Sequence, residues 1–191
     1  GRTSCRGPNL QNPHRAQGLR ECFIPRPGFY FAACDYTALE MCTLAQVCIW
    51  LFGGSNLATA INDGIDPHLK LAAQMSDIDY KQAQERMGTG DNKIREMRQL
   101  AKAANFGYPG GMGADAFRTY AAGYGVKLSL SQSENLRRDW FEAWPEMRKY
   151  FDHISSITKT PEKTLKQFVS NRHRGGIRFT SACNSYFQGL A

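Results

Sequence analysis

The sequence predicts a mixed α/β (α+β) chain in which helices dominate. Three observations carry that expectation. Arg98, Lys102 and Phe106 recur at a spacing of four, the repeat of one helix face. Phe29 to Cys34 is a short run of aromatic and small residues that reads as a buried strand, and it leads into Ala38 to Phe52, mostly apolar and helical in length. Near the other end, short β-prone runs flank RHRGG within Phe168 to Phe179, the pattern of a hairpin-like return.

The elements follow in order. Residues 1 to 28 are rich in Gly, Pro, Asn and Arg and are expected to be mostly loop. Glu40 falls in the first turn of the helix over Ala38 to Phe52, and Gly53-Gly54-Ser55-Asn56 ends it. Residues 57 to about 87 suit helices, with Pro67 where a first turn begins and Ser76 as an N-cap with Asp79 three residues on. The polar loop Gly88 to Asp91 precedes the helix of the stripe, with Asp91 or Asn92 as its cap. Pro109 has no N–H to give the carbonyl of Asn105, so this helix should end or kink just past Phe106. Residues 114 to 123 and 131 to 144 read as helices, Pro145 starts another reaching Ile157, and Ser181 to Ala191 opens the next.

Composition narrows the class. The 191 residues hold 24 Lys and Arg against 17 Asp and Glu, a net charge of +7. A basic excess suits a polyanionic partner, although a charge of this size does not by itself select nucleic acid. Six cysteines, Cys5, Cys22, Cys34, Cys42, Cys48 and Cys183, show no C-x-x-C pairing. They read as free thiols of a reducing cytoplasm, not as zinc ligands or disulfides. No stretch is long and apolar enough to span a membrane, so a cytoplasmic protein without a membrane partner is expected.

The stripe has a chemistry of its own. Two permanent cations and then one flat apolar ring lie along about 12 Å of helix. A nucleoside triphosphate has the matching layout, with phosphates at one end and sugar and base at the other. Arg forks onto phosphate oxygens, and Lys serves as a point charge. Taken alone, a solvated basic face with one aromatic turned to the core is the better explanation of the pattern. Asp35 ends the strand-like run, where a carboxylate suits a hard cation such as Mg²⁺ that wants oxygen ligands and keeps its substrate phosphates. The plainer reading of Asp35 is a helix cap.

Taken together and in this order, these elements resemble the family A DNA polymerases. Asp35-Tyr36-Thr37-Ala38-Leu39-Glu40 is similar to that family's first catalytic motif, and Arg98-x-x-x-Lys102-x-x-x-Phe106-Gly107 to its second, the nucleotide-binding helix of the fingers. Gly1 to Ser4 and Pro8 to Asn12 resemble the entry to the palm, Asp66-Pro67-His68 a fingers motif, and Trp140 to Pro145 an aromatic signature. Asn184 to Ala191 resembles the stretch before the third motif, a histidine-aspartate pair on a tight turn. NFGYPGGMG and FQGLA resemble the phage-type branch, in a bacterial cell or an infected host. The resemblance implies a palm of antiparallel strands with a mainly helical fingers insertion. It divides the chain into 1–52 (palm entry and first motif), 53–150 (fingers) and 151–191 (return to the palm). The chain is expected to be a fragment, inactive alone, of a DNA-directed DNA polymerase serving DNA replication.

The implied activity is addition of deoxynucleoside triphosphates to a primer 3′ end by two-metal nucleotidyl transfer, with primer–template DNA as partner and no oligomer. Asp35 would coordinate both Mg²⁺ ions, joined by the backbone carbonyl of Tyr36. Arg98, Lys102 and His68 would hold the triphosphate, and Lys102 would also neutralise or protonate the departing pyrophosphate. Phe106 would stack beneath sugar and base, and Glu40 would stand against the ribose C2′ as a steric gate. A lone His after Asp-Pro is as readily a turn partner, and Glu40 as readily a first-turn helix-dipole residue. Arg2, Asn9, Gln11, Asn184 and Gln188 match positions facing primer–template DNA, although each also suits hydrogen bonding within its own loop. Arg172, with Arg174 and Arg178, forms a basic cluster for phosphates or a solvated turn. The chain departs from the family at Gly110, where many members carry tyrosine, and at Ala38, where glutamine is common. A single-subunit RNA polymerase is the first alternative, disfavoured by Glu40. A non-catalytic DNA-binding remnant is the second, disfavoured by intact Asp35, Arg98 and Lys102.

Overall fold

The computed structural model describes residues 5–8, 18–34, 36, 38–123 and 125–191, and divides the chain into two compact units, Gly1–Thr37 and Ala38–Ala191. Arg2, Asn9, Gln11 and Asp35, singled out above, lie outside the described residues.

The described part of the first unit is turns and irregular backbone. The Phe29 N–H donates to the Arg26 carbonyl, and the Arg26 guanidinium lies 5.1 Å from the centroid of the Phe29 ring. The strand expected over Phe29 to Cys34 does not form, and Phe29, Tyr30 and Phe31 are exposed. An apolar run becomes a strand only where a neighbour takes up its backbone hydrogen bonds. None of the described residues in this unit is in a strand.

The second unit is mainly helical. Its helices are α1 (Leu39–Phe52), α2 (Asn56–Asn62), α3 (Pro67–Met75), α4 (Tyr80–Gly88), α5 (Asn92–Gly107), α6 (Ala114–Ala122), α7 (Leu130–Ala143), α8 (Glu146–Thr158) and α9 (Phe179–Gln188). Between α8 and α9 stands one antiparallel pair, β1 (Leu165–Lys166) with β2 (His173–Arg174), Leu165 opposite Arg174. Among the described residues, the expected antiparallel strands reduce to this pair. The hairpin also begins three residues before the predicted run, because the β-prone residues 168–171 form the turn, with Val169 and Asn171 at positive φ. None of the described helices is long and apolar enough to cross a membrane.

Local signals set most of the helix ends. Asp66 caps α3 by accepting the amides of His68 and Leu69, with Pro67 in the first turn. Asp91 caps α5 through the amides of Lys93 and Ile94. Ser76 does not start α4; its N–H bonds back to Ala72 and closes α3, while the Asp79 carboxylate accepts the Gln82 amide and caps α4. The stronger acceptor sits next to the helix and takes the role. Helix α5 stops at Gly107 and passes into a 3₁₀ turn at Tyr108–Gly110, as Pro109 requires. Gly111 then takes φ 79°, and a Cβ there would stand 2.8 Å from the Phe179 ring, so the turn lies directly against α9.

Asn105 of α5 holds the interior together. Its side chain is 2 % exposed and makes four hydrogen bonds. Oδ1 accepts from the indole N–H of Trp140 at 3.1 Å and of Trp144 at 3.0 Å. Nδ2 donates to the Pro67 carbonyl at 3.2 Å and to His68 Nδ1 at 3.0 Å. Indole nitrogens only donate and carbonyls only accept, so the orientation of the amide is determined. One buried amide thus joins α3, α5 and α7. Nearby, Glu146 at the start of α8 accepts from the Ser55 hydroxyl and the Leu57 amide and secures the beginning of α2.

Asn105→Ala should therefore be severe, since it orphans two buried indole donors at about 1–3 kcal/mol each. Urea unfolding is expected to show a loss of roughly 3 kcal/mol. A loss below about 1 kcal/mol would deny the amide this role.

Candidate nucleotide-binding site

The predicted stripe exists as a surface. Arg98 is half-buried, Lys102 exposed and Phe106 half-buried along one side of α5, while Ile94, Ala101 and Asn105 turn inward. The inward face fixes the rotation of the helix, and the outward stripe follows from it.

His68 reaches this stripe from α3. Its ring centroid lies 5.7 Å from that of Phe106, tilted by 45°. Because Nδ1 accepts from Asn105, the neutral ring carries its proton on Nε2. Burial pushes the His68 pKa down to about 4, helped by Arg98 and Lys102 and opposed by Asp66. His68 is thus a neutral, oriented donor rather than a third cation.

Arg98 is held as well. Its Nε donates to Asp66 Oδ2 at 2.7 Å, and Nη2 sits 2.6 Å from the same oxygen. Asp66 Oδ1 is meanwhile occupied by the α3 amides. Burial alone would raise the Asp66 carboxyl, but the Arg98 hydrogen bond and charge, with the His68 and Leu69 amides, outweigh it and hold the pKa below the usual range. The bond to Asp66 uses Nε and Nη2, which leaves Nη1 as the arm of the fork for a ligand. Lys102 makes no ion pair with a described residue. The patch therefore offers one anchored guanidinium, one unpaired ammonium, one imidazole N–H and one aromatic edge. That set suits phosphate at the Arg98–Lys102 end and a flat apolar group at the Phe106–His68 end.

The remaining predicted residues fall elsewhere. Glu40 is half-buried in the first turn of α1. Tyr36, in the first unit, is exposed. Asn184 and Gln188 lie one turn apart on α9, both half-buried, and Asn184 Nδ2 donates to the Thr180 carbonyl at 2.8 Å. Arg172 is exposed beside β2, and the hairpin is pinned to α9 by Gln167 and Arg174, which donate to the Ser185 carbonyl and hydroxyl. At Gly110 a Cβ would meet the Asn184 amide nitrogen at 3.0 Å, so α9 occupies the space in which the resemblance leads one to expect a tyrosine. Tyr108 instead turns inward, fully buried, and donates to the Ser133 carbonyl. Asp66 and Asn105 carry much of this geometry, and nothing in the sequence pattern gave Asn105 a functional role or paired Asp66 with Arg98.

The chain belongs to DNA polymerase family A, whose family model matches residues 1–186. It is 28% identical over 191 residues to DNA polymerase I of Aquifex aeolicus, covering 99% of this chain and 30% of that protein. It is 29% identical to the thermostable DNA polymerase I of Thermus filiformis, covering 100% of this chain and 20% of that one. Its fold is shared with the polymerase domain of Pol1 from M. smegmatis, solved in complex with DNA primer-template and dNTP. That likeness has a TM-score of 0.66 at 22% identity, and covers 99% of this chain and 33% of the other. The chain thus spans less than a third of the length of these curated relatives.

The buried imidazole gives a pH signature. The folded chain refuses a proton that unfolded His68 accepts, so stability should fall as pH drops from the unfolded value of 6.5 toward about 4. The loss is on the order of 3 kcal/mol. Asp66 adds a further loss only below its ordinary value of 3.8, because its folded pKa is lowered. In denaturation series at several pH values, His68→Gln should flatten the upper part of this dependence and leave the lower part. An unchanged slope above pH 4 would show that His68 is not the group responsible.

Proposed function

We propose that this chain carries the nucleotide-binding helix of a DNA-directed DNA polymerase that adds deoxynucleoside triphosphates to a primer 3′ end. The observation behind this reading is the outward stripe of α5, with His68 against Phe106 and Arg98 anchored on Asp66. A triphosphate would lie along the stripe, its phosphates on Arg98 Nη1 and Lys102 and its sugar and base on Phe106. His68 Nε2–H would donate to a phosphate oxygen without adding charge. Lys102 would offset the charge growing on pyrophosphate as it departs, or hand it a proton. Glu40 would stand against the 2′ position of the sugar and exclude ribonucleotides. Residues 53–150 would serve as fingers, with 1–52 and 151–191 as parts of the palm. Primer–template DNA would meet Arg2, Asn9, Gln11, Arg172, Asn184 and Gln188.

Metal ions belong to this chemistry. Among the described residues no group of three or more His, Cys, Asp or Glu is gathered as a metal site. The oxygen donors that fit a hard cation are the Asp35 carboxylate and the Tyr36 carbonyl. Two Mg²⁺ ions, when bound, would activate the primer hydroxyl and offset charge on the phosphoryl group in transfer.

Calorimetric titration of the chain with dTTP and Mg²⁺ tests the reading. Lys102→Ala is expected to weaken binding about tenfold, or roughly 1.4 kcal/mol. Lys102→Arg should restore part of it. Equal affinity in wild type and Lys102→Ala would contradict the assignment.

A further inference from the structure

A second basic site lies away from the α5 stripe. A cavity of about 360 Å³ is lined by Ala114 of α6, by Glu134, Arg137, Arg138 and Phe141 of α7, and by Arg148 of α8. The Arg137 guanidinium carbon lies 5.0 Å from the Phe141 ring centroid and that of Arg148 lies 4.5 Å from the same centroid. Two like charges are thus brought over one ring, where they repel each other.

The local acids offset only part of this charge. Arg138 is 3.6 Å from Asp139. Glu134 lines the cavity but lies within ion-pair distance of none of the three arginines, and neither Arg137 nor Arg148 has a carboxylate partner among the described residues. Arg137 Nε is buried with no hydrogen-bond partner. A buried guanidinium N–H without an acceptor is costly, and an anion in the cavity would relieve the repulsion between the guanidinia.

The lining also limits what the anion is. Phe141 is 8 % exposed and its ring already carries two guanidinia, so little of it is open for a base to stack on. No Asn or Gln lines the cavity to read a base edge. Apart from the Glu134 carboxylate, the polar lining is forked cationic donors, which is recognition of phosphate without regard to sequence.

We propose that Arg137, Arg138 and Arg148 form a phosphate-binding pocket for the backbone of a nucleic-acid strand, separate from the triphosphate stripe on α5. This rests on the nucleic-acid reading above. The shared chemistry is phosphate oxygen, and a strand and a free nucleotide are separated by the test.

The test is fluorescence anisotropy of a labelled oligodeoxythymidylate on the 191-residue chain across a salt series, with dTTP calorimetry in parallel. Removing one arginine–phosphate pair on a single strand should make the logarithmic salt slope shallower by about 0.7. Arg148→Gln is expected to lower it by about 0.7, and Arg137→Gln/Arg148→Gln by about 1.4, with affinity down about tenfold. Lys81→Gln, on α4, controls for net charge, and thermal unfolding verifies the fold. Should the double variant unfold, Arg148→Gln against the charge-keeping Arg148→Lys decides alone. Affinity and slope matching Lys81→Gln in a folded variant would overturn the proposal. So would loss of dTTP binding with oligonucleotide binding intact, which would make the ligand a free nucleotide. Failure of the Lys102 titration with this result intact would instead count against the triphosphate reading.

Discussion

The second unit turns on the saturation of one buried amide. Asn105 has two donors and two acceptor sites, and all four are used. Each bond goes to a group that would otherwise be orphaned inside the protein or be free to rotate. The two indoles come from α7 and its cap, the carbonyl and imidazole from the first turn of α3. No other rotation of α5 meets all four, so the helix is locked in angle as well as position. Arg98, Lys102 and Phe106 face outward because Asn105 faces inward.

That constraint shapes the electrostatics. Arg98 and Lys102 are one turn apart and would repel, yet Asp66 draws Arg98 aside with a carboxylate already committed to capping α3. Burial keeps the His68 ring neutral beside two cations, and Asn105 holds its Nδ1 as the acceptor. The result is a patch of moderate positive charge with the Arg98 and His68 donors fixed before any ligand arrives. Preorganised donors cost little rearrangement on binding, which is where phosphate recognition gains its strength.

The helices are legible in the sequence because their signals are local. Asp66-Pro67, Asp91 and Pro145 mark starts, Gly53 and Pro109 mark ends, and the spacing of Arg98, Lys102 and Phe106 identifies the stripe. Phe29 to Cys34 misleads because a strand depends on a partner that a run of apolar residues does not encode. The Asp66–Arg98 pair and the approach of Asn184 to Gly110 are likewise non-local, and spacing carries no trace of them. Asn105 comes nearest to being readable. Trp140 of α7 and Trp144 at its C-cap stand four apart, two bulky groups each with an N–H that demands an acceptor when buried. That pattern calls for a buried amide or carboxylate nearby, and Asn105 is the candidate within the stripe helix. The roles of Arg2, Asn9, Gln11 and Asp35 rest on the motif resemblance.

The central claim is that the outer face of α5, with His68, receives a deoxynucleoside triphosphate while the Asn105 network stays fixed behind it. Nuclear magnetic resonance of the ¹⁵N-labelled chain titrated with dTTP and Mg²⁺ tests this directly. The expected result is perturbation at Arg98, Lys102, Phe106 and the His68 ring, with the Trp140 and Trp144 indole resonances unmoved. Perturbation centred on other helices, with the stripe silent at saturation, would contradict it.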